Sequence, residues 1–205
     1  MYRTERRKEE DKEVRKETAL ISIAVLGITT AITMMPVDAE EPSTMPIVYD
    51  IEPVMQADES AEAQAWLMER GVNVPEPIEW ECEAAGAVKH VSPELLEAVA
   101  WVESRYKADA QSGAYVGLMQ MHRTIHADRL AAYGTDVFDP HASIWAAADL
   151  IADLGEEYAI DGEPADAAVI LAAYHGEDNL YKETPSRYVR SVLEVAERLE
   201  RAHGK

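Results

Sequence analysis

The sequence predicts a predominantly α-helical single domain that follows an N-terminal membrane or signal segment. Two patterns predict the helices. One is a polar residue followed directly by a proline, which would be the first helical residue, and the other is apolar residues that recur every three or four positions. A run of 17 uncharged residues, 19–35, predicts the N-terminal segment. Long alternating strands are not found, so we expect at most a small irregular or β element near residues 112–120.

The N-terminus has the features of a signal peptide or a signal anchor. Residues 1–18 carry seven Lys or Arg and six Asp or Glu, and the uncharged run 19–35 follows. At about 1.5 Å per residue this run spans roughly 25 Å as a helix, which suits a short transmembrane helix or a signal core. Val37-Asp38-Ala39 offers a cleavage site before Glu40. The basic residues in front of the run would leave residues 40–205 outside the cytoplasm.

The chain is strongly acidic, with 19 Lys or Arg against 39 Asp or Glu and a formal charge of −20. Because most of it would repel phosphate backbones, no nucleic acid partner is expected. Cys82 is the single cysteine, which excludes an intrachain disulfide. A nucleophilic Cys82 with His90 or His175 as its base is disfavoured, since Glu81 and Glu83 would raise the pKa of the thiol.

The helices are expected in a continuous series after a spacer. Residues 36–76 predict an acidic, proline-containing spacer with one short helix at 60–70, and the domain is expected at 77–200 with a first helix at about 77–88. Four further helix starts are marked by a polar residue and a proline: Ser92-Pro93, Asp139-Pro140, Glu163-Pro164 and Thr184-Pro185. Gly155 predicts the end of the helix that starts at Asp139.

One of these helices carries a carboxyl group on its apolar face. Glu103 follows Leu96, Val99 and Ala100 at seven, four and three positions, so the four residues share one face. Burial there should raise the pKa of Glu103 above the ordinary value of about 4.3, as a proton donor near neutral pH requires. Periodicity alone also allows a boundary glutamate that pairs with a basic neighbour such as Arg105.

The residues that follow favour the proton donor. Glu103-Ser104-Arg105-Tyr106 and Gly117-Leu118-Met119-Gln120 resemble the Glu-Ser-Arg-aromatic and Gly-Leu-Met-Gln motifs of lytic transglycosylases of the SLT or goose-lysozyme type. Further matches in the same order are Asp128-Arg129-Leu130, Phe138-Asp139-Pro140, Leu171-Ala172-Ala173-Tyr174 and Ser186-Arg187-Tyr188. The resemblance implies a lysozyme-like fold of the α+β superfamily and an enzyme that cleaves the glycan strands of peptidoglycan.

The resemblance also implies roles for particular residues. Glu103 would be the catalytic acid and later the base. The implied substrate-binding residues are Gly117, Met119, Gln120, Tyr174, Tyr188 and His175, with the two tyrosines flanking the carboxyl group. After the Ala-Tyr pair the family usually has Asn-x-Gly, whereas this chain has His175-Gly176-Glu177. A substrate contact by His175 therefore depends on an altered loop.

The number of carboxylates bears on the reaction. Glycosidases generally use two, and the further candidates here are Asp109, Asp139, Glu177 and Asp178, of which Asp139 is better explained as a helix cap. The family implies a single glutamate, an N-acetyl group that stabilises the positive centre, and a 1,6-anhydro product without any cofactor. The alternatives are a hydrolytic muramidase and a non-catalytic glycan-binding part of an envelope, conjugation or secretion machine.

A metal site is not expected. His122 and His126 are four residues apart, a spacing that would let both bind one metal from a helix. No glutamate stands between them, and Arg123 beside a cation is unfavourable. The expected partners are peptidoglycan glycan strands and, through residues 19–35, a membrane. The expected location is secreted or membrane-anchored, facing the cell wall or the periplasm.

Overall fold

A computed structural model describes residues 52–160 and 165–204, which all belong to one compact unit, Tyr49–Lys205. Within this part of the chain no helix combines the length and apolar character needed to cross a membrane. The predicted signal or anchor segment 19–35, the cleavage site before Glu40 and the first part of the spacer lie outside the described residues.

The described residues form seven helices and one small sheet. The helices are α1 (Glu52–Glu69), α2 (Glu76–Lys89), α3 (Pro93–Ser104), α4 (Ala127–Tyr133), α5 (Pro140–Glu157), α6 (Ala167–Tyr174) and α7 (Arg187–Ala202). Strands β1 (Gln111–Ser112), β2 (Tyr115–Val116) and β3 (Met121–His122) pair antiparallel in chain order. The predominantly α-helical class and the small β element near residues 112–120 are confirmed.

Two of the four predicted helix starts are confirmed. Ser92 accepts a hydrogen bond from the Leu95 N–H at 3.2 Å, and Asp139 accepts one from the His141 N–H at 3.1 Å. In both cases the proline directly after the cap is the first helical residue. A side-chain acceptor satisfies an N–H that has no partner inside the helix, and proline has no N–H to lose.

The other two starts are wrong by a few residues. α6 begins after Asp166 rather than at Glu163-Pro164, and α7 begins after Ser186 rather than at Thr184-Pro185. Each cap accepts a hydrogen bond from a backbone N–H two or three residues later, at 2.7 and 3.2 Å. The prolines precede a better cap in both places, so the side-chain oxygen sets the start of the helix.

The remaining differences concern helix ends. The short helix predicted at 60–70 is present, but α1 begins at Glu52 and packs against α7, so the compact unit includes residues before the predicted boundary at 77. α5 continues through Gly155 to Glu157, so the predicted stop is wrong. A Cβ at Gly155 would stand 3.6 Å from Ile170, which shows that this glycine lies at an ordinary contact between α5 and α6.

The core lies between two groups of helices. α1 and α3 pack on α7, α2 and α4 pack on α5, and α6 contacts both α5 and α7. Val192, Val195 and Leu199 repeat along α7 and are buried, as their spacing predicted. Each such side chain stabilises the fold by roughly 1.5–3 kcal/mol relative to exposure. This packing brings the ends of α3 and α6 and the start of α7 together beside the sheet.

A polar cluster joins the helices α2, α4 and α5. Asp149 in α5 pairs with Lys89 of α2 and Arg129 of α4, and the Tyr133 hydroxyl donates to it at 3.3 Å. Burial acts to raise the pKa of Asp149, but Lys89 and Arg129 outweigh it and hold that pKa below its usual range. This cluster gives Arg129, in the Asp128-Arg129-Leu130 motif, a structural role.

Candidate active site

Glu103 lies in the last turn of α3, one residue before the helix ends. Leu96, Val99 and Ala100 are fully buried and Glu103 is partly buried, so the predicted shared face is confirmed. Burial raises the pKa of Glu103, while the hydroxyl of Tyr188 acts in the opposite direction. The net effect is a raised pKa, so Glu103 can hold its proton at a pH where an exposed glutamate is ionised.

The backbone turns sharply just after Glu103. Arg105 and Tyr106 have φ of 56° and 60°, a left-handed conformation that costs a residue other than glycine roughly 1–2 kcal/mol. Trp101 holds both: the Arg105 guanidinium lies 4.2 Å above its ring, and the Tyr106 ring centroid is 5.6 Å away. Arg105 therefore turns onto Trp101, and the described residues show no ion pair for Glu103.

One row of side chains on the sheet forms a wall of the pocket that contains Glu103. Ser112 stands opposite Tyr115, and Tyr115 stands opposite His122. The Tyr115 ring meets the His122 ring edge-on at 5.3 Å. Nδ1 of His122 accepts from two backbone N–H groups of the following turn, at 3.3 and 3.2 Å, which leaves Nε2–H as its donor. Sequence reasoning missed this row, although exposed Tyr115 next to buried Val116 is the signal of a strand.

The 117–120 motif passes behind this pocket, and only Gln120 faces it. Gly117 has φ of 77°, and a Cβ there would stand 2.6 Å from the Val137 carbonyl oxygen. Met119 is fully buried, and its N–H donates to Ser143 Oγ at 3.0 Å. The structure thus places Gly117 and Met119 inside the domain rather than on the cleft wall. Their tight packing positions Gln120 instead.

Gln120 is fixed by the loop that it closes. Its side-chain amide nitrogen donates to the carbonyl oxygens of Ala110 at 3.0 Å and Gly117 at 2.8 Å, and its own φ is 47°. Both amide hydrogens are used in this way, so the side-chain oxygen is the atom that can accept a hydrogen bond from a ligand. An N-acetyl N–H is a suitable donor for it.

Tyr174 and Tyr188 both lie near Glu103 but are held differently. The Tyr174 hydroxyl donates to the Met119 carbonyl oxygen at 2.8 Å. The Tyr188 hydroxyl is buried without a hydrogen bond of regular geometry, and it lies close enough to Glu103 to lower the pKa of that carboxyl group. The His175 ring stacks on Tyr188 at 4.0 Å and 15°. Burial and then Glu103 raise the pKa of both phenols.

The pocket of about 490 Å³ at Glu103 has a mixed polar and aromatic wall. Besides Glu103, its lining residues are Ser112, Tyr115, Gln120, His122, Ile125, His126, Ala173, Tyr174, His175 and Gly176. Among the described residues that line it, Glu103 is the only carboxylate. Of the substrate-binding residues implied by resemblance, Gln120, Tyr174 and His175 lie on this wall.

The other candidate carboxylates lie elsewhere. Asp139 caps α5, as predicted, and Asp109 is exposed after the end of α3. Glu177 and Asp178 line a neighbouring cavity. Glu177 pairs with Lys182 at 2.7 Å, and this contact holds the pKa of Glu177 below its usual range. None of the four lines the Glu103 pocket.

The His122–His126 pair and the Cys82 thiol were the other constellations considered from the sequence. His122 lies in β3 and His126 precedes α4, so they do not share a helix face. The part of the chain that the structure describes holds no group of three or more His, Cys, Asp or Glu side chains placed to bind a metal. Burial, followed by Arg129 and His122, lowers the pKa of His126. Burial and then Glu97 raise the pKa of the buried Cys82 thiol, which disfavours a nucleophile.

A family model described as the transglycosylase SLT domain matches residues 82–189, more than half of the chain and all of the Glu103 pocket. The chain belongs to the SLT domain family. Membership implies cleavage of peptidoglycan glycan strands of the lytic transglycosylase type, in the cell envelope. Comparisons with curated proteins and with solved structures found no match.

The SLT domain as matched begins within α2 and ends near the start of α7. α1 lies outside the match, yet it packs along α7, and the Ser60 hydroxyl donates to the Ala202 carbonyl oxygen at 3.0 Å. The SLT domain of this chain is therefore extended by a helix that the family pattern does not include.

Removing the Tyr188 hydroxyl should shift the pH dependence of this SLT domain. Tyr188→Phe keeps the ring stacked on His175 but removes the group that lowers the pKa of Glu103. If Glu103 must be protonated to act, activity is lost as pH rises through its pKa. The alkaline limb of kcat/KM should then move to higher pH, with a roughly tenfold lower maximum from the lost orienting contact.

The matched control is Tyr181→Phe, because Tyr181 is exposed and does not line the Glu103 pocket. Its pH profile should overlay that of the wild type. An alkaline limb that stays in place or moves to lower pH in Tyr188→Phe would show that this hydroxyl does not act on Glu103.

Proposed function

We propose that this SLT domain cleaves the β-1,4 bond between N-acetylmuramic acid and N-acetylglucosamine, with Glu103 as its single acid and base. The observation that carries the proposal is that no second carboxylate lines the described wall of the Glu103 pocket. Hydrolytic glycosidases generally use a second carboxylate, either to activate water or to act as the nucleophile. With one carboxylate in the pocket, the C6 hydroxyl of the substrate can serve as the nucleophile in place of an activated water.

The raised pKa of Glu103 suits the first step. The protonated carboxyl group donates its proton to the glycosidic oxygen while the bond from that oxygen to C1 breaks. The bonding electrons stay with the oxygen, and N-acetylglucosamine leaves as a neutral alcohol. Positive charge develops at C1 of N-acetylmuramic acid, where the carbonyl oxygen of the sugar's own N-acetyl group shares it.

In the second step Glu103, now ionised, acts as the base. It accepts the proton of the C6 hydroxyl as that oxygen attacks C1, which closes a 1,6-anhydro ring and restores the protonated carboxyl group. One C–O bond has broken and one has formed, and no water is consumed. The nearby Tyr188 hydroxyl favours the ionised form of Glu103, which supports this step.

The wall residues have matching roles in the proposal. The Gln120 side-chain oxygen, whose amide nitrogen is engaged within the loop, accepts the N–H of an N-acetyl group. Tyr115 is half exposed and offers a ring edge and a hydroxyl to a sugar, and His122 offers Nε2–H. Tyr174 holds the Met119 carbonyl oxygen and so joins α6 to the segment that carries Gln120.

The identity of the product tests this proposal. Purified peptidoglycan is digested with the full chain, and the soluble muropeptides are analysed by mass spectrometry. We expect 1,6-anhydro ends, which are lighter by one water than hydrolysed ends. Reducing ends alone would identify a hydrolytic muramidase. Binding without any soluble product would identify a glycan-binding part of an envelope machine, and either outcome contradicts the proposal.

The same proposal extends to location. We propose that residues 19–35 direct export or anchor the chain in a membrane, so that the SLT domain faces the cell wall or the periplasm. The formal charge of −20 disfavours tight adsorption to anionic wall polymers, which confines cleavage to the place where the chain is held.

A further inference from the structure

A second groove of about 640 Å³, called here the arginine groove, lies between α1, α3 and α7. Its charged lining residues are Arg70 from the turn after α1, Arg105 from the end of α3, and Arg187 and Glu194 from α7. Three cations against one carboxylate give a local formal charge of +2, whereas the whole chain carries −20. Such a local reversal of sign attracts an anionic ligand.

Two of the arginines are stacked on tryptophans of the same groove. The Arg70 guanidinium lies 3.9 Å above the Trp66 ring, and the Arg105 guanidinium lies 4.2 Å above the Trp101 ring. A stacked guanidinium covers the aromatic face that a sugar would use, and its N–H edge stays available for a carboxylate. The groove therefore presents two stacked guanidinium groups to a ligand carboxylate.

The existing partners of Arg70 are weak competitors for such a ligand. They are the Glu69 carboxylate at 3.3 Å and the Trp66 carbonyl oxygen at 3.4 Å, both in exposed interactions. The Glu69 side chain is 80% exposed, so this ion pair contributes little. Arg70 can exchange it for a ligand carboxylate at small cost.

The arginine groove is next to the Glu103 pocket. Tyr188 lines the groove, and its hydroxyl acts on Glu103. Val102, the residue before Glu103, also lines the groove. The side chain of Tyr188 therefore lies between the groove and Glu103, and a substituent of a sugar bound at Glu103 would extend past Tyr188 to enter the groove.

We propose that the arginine groove binds the free carboxylates of the peptide stem that N-acetylmuramic acid carries. The stem is attached to one of the two sugars at the scissile bond, it bears carboxylates, and the groove offers stacked guanidinium groups next to that bond. This inference rests on the proposed function. Because Trp66 in α1 and Arg70 directly after α1 lie outside the SLT match, it makes stem recognition a property of the segment that extends the domain.

Binding to a non-cleaving variant tests the inference apart from catalysis. The full chain with Glu103→Gln is titrated by calorimetry with a muropeptide oligomer and with the same oligomer after its stem carboxylates have been converted to amides. We expect the ligand with free stem carboxylates to bind about tenfold more tightly, as charge-assisted contacts predict. Added salt should narrow that ratio, because the groove is open to solvent.

Charge-removing variants then locate the contact. Arg70→Gln and, separately, Arg187→Gln in the same background should each reduce the affinity ratio about fivefold. The control is Arg190→Gln, an exposed position on α7 outside the groove, which should keep the full ratio. Circular dichroism checks that each variant is folded.

Equal affinity for the two ligands would overturn the inference, and so would an unchanged ratio in both groove variants. A different result would contradict the proposed function: cleavage of the ligand by the Glu103→Gln chain. A chain that binds both ligands equally without cleaving them would overturn the stem site and leave the catalytic proposal intact.

Discussion

Glu103→Gln is expected to lose at least about 100-fold in glycan-cleaving activity, the usual scale of a general acid. Gln keeps the size of the side chain but cannot donate and recover a proton. The fold should persist, since the residue is only partly buried at the end of α3. The matched control is Glu83→Gln, an exposed glutamate on α2, which should retain wild-type activity.

The same substitution should raise the midpoint of thermal unfolding at neutral pH. Burial raises the pKa of Glu103 in the folded chain, so the folded state binds this proton more tightly than the unfolded state does. The free energy of unfolding therefore falls as pH rises from the unfolded pKa through the folded one. Gln carries no such charge, so the gain should vanish in acid, where Glu103 is protonated. A lower midpoint at neutral pH would contradict the raised pKa.

Gly117→Ala should cause the largest loss of stability, about 3 kcal/mol or more. The left-handed φ of 77° costs Ala roughly 1 kcal/mol, and the Cβ at 2.6 Å from the Val137 carbonyl oxygen forces the backbone to move. Because Gly117 anchors the segment that carries Met119 and Gln120, activity should fall as well. Urea unfolding of the full chain measures the first effect.

Gly113→Ala provides the control for backbone strain alone. Gly113 also has a left-handed φ, 61°, but a Cβ there would have no neighbour within 4 Å. We expect a loss of only about 1 kcal/mol. Equal losses in the two variants would show that the contact between Gly117 and Val137 does not constrain the fold.

Local signals predicted most of the helices, because capping and apolar spacing depend on residues close in sequence. Ser92-Pro93 and Asp139-Pro140 start helices as expected. The predicted starts of α6 and α7 are wrong because each proline is followed two or one residues later by a capping residue, Asp166 or Ser186. The sequence pattern alone does not show whether the proline or the capping residue begins the helix. The length of α1 was missed because its packing on α7 is a long-range contact.

At the site, too, features that depend on nearby residues were predictable and features that depend on long-range contacts were not. Periodicity placed Glu103 on a buried face, and its pKa is raised as that placement predicts. The resemblance grouped Gly117, Met119 and Gln120 together, but it did not distinguish a residue that faces the pocket from one that packs behind it. That distinction depends on Val137 and Ser143, which are far away in sequence. Likewise, the Tyr115–His122 row exists only once β2 and β3 have paired.

The role of Glu103 is tested most directly by the release of soluble muropeptides from purified peptidoglycan. The rates are compared for the wild type, Glu103→Gln and Glu83→Gln at equal amounts of folded protein. We expect release by the wild type and by Glu83→Gln, and release indistinguishable from a protein-free blank for Glu103→Gln. Equal rates for all three proteins would contradict the central claim that Glu103 cleaves the glycan strand.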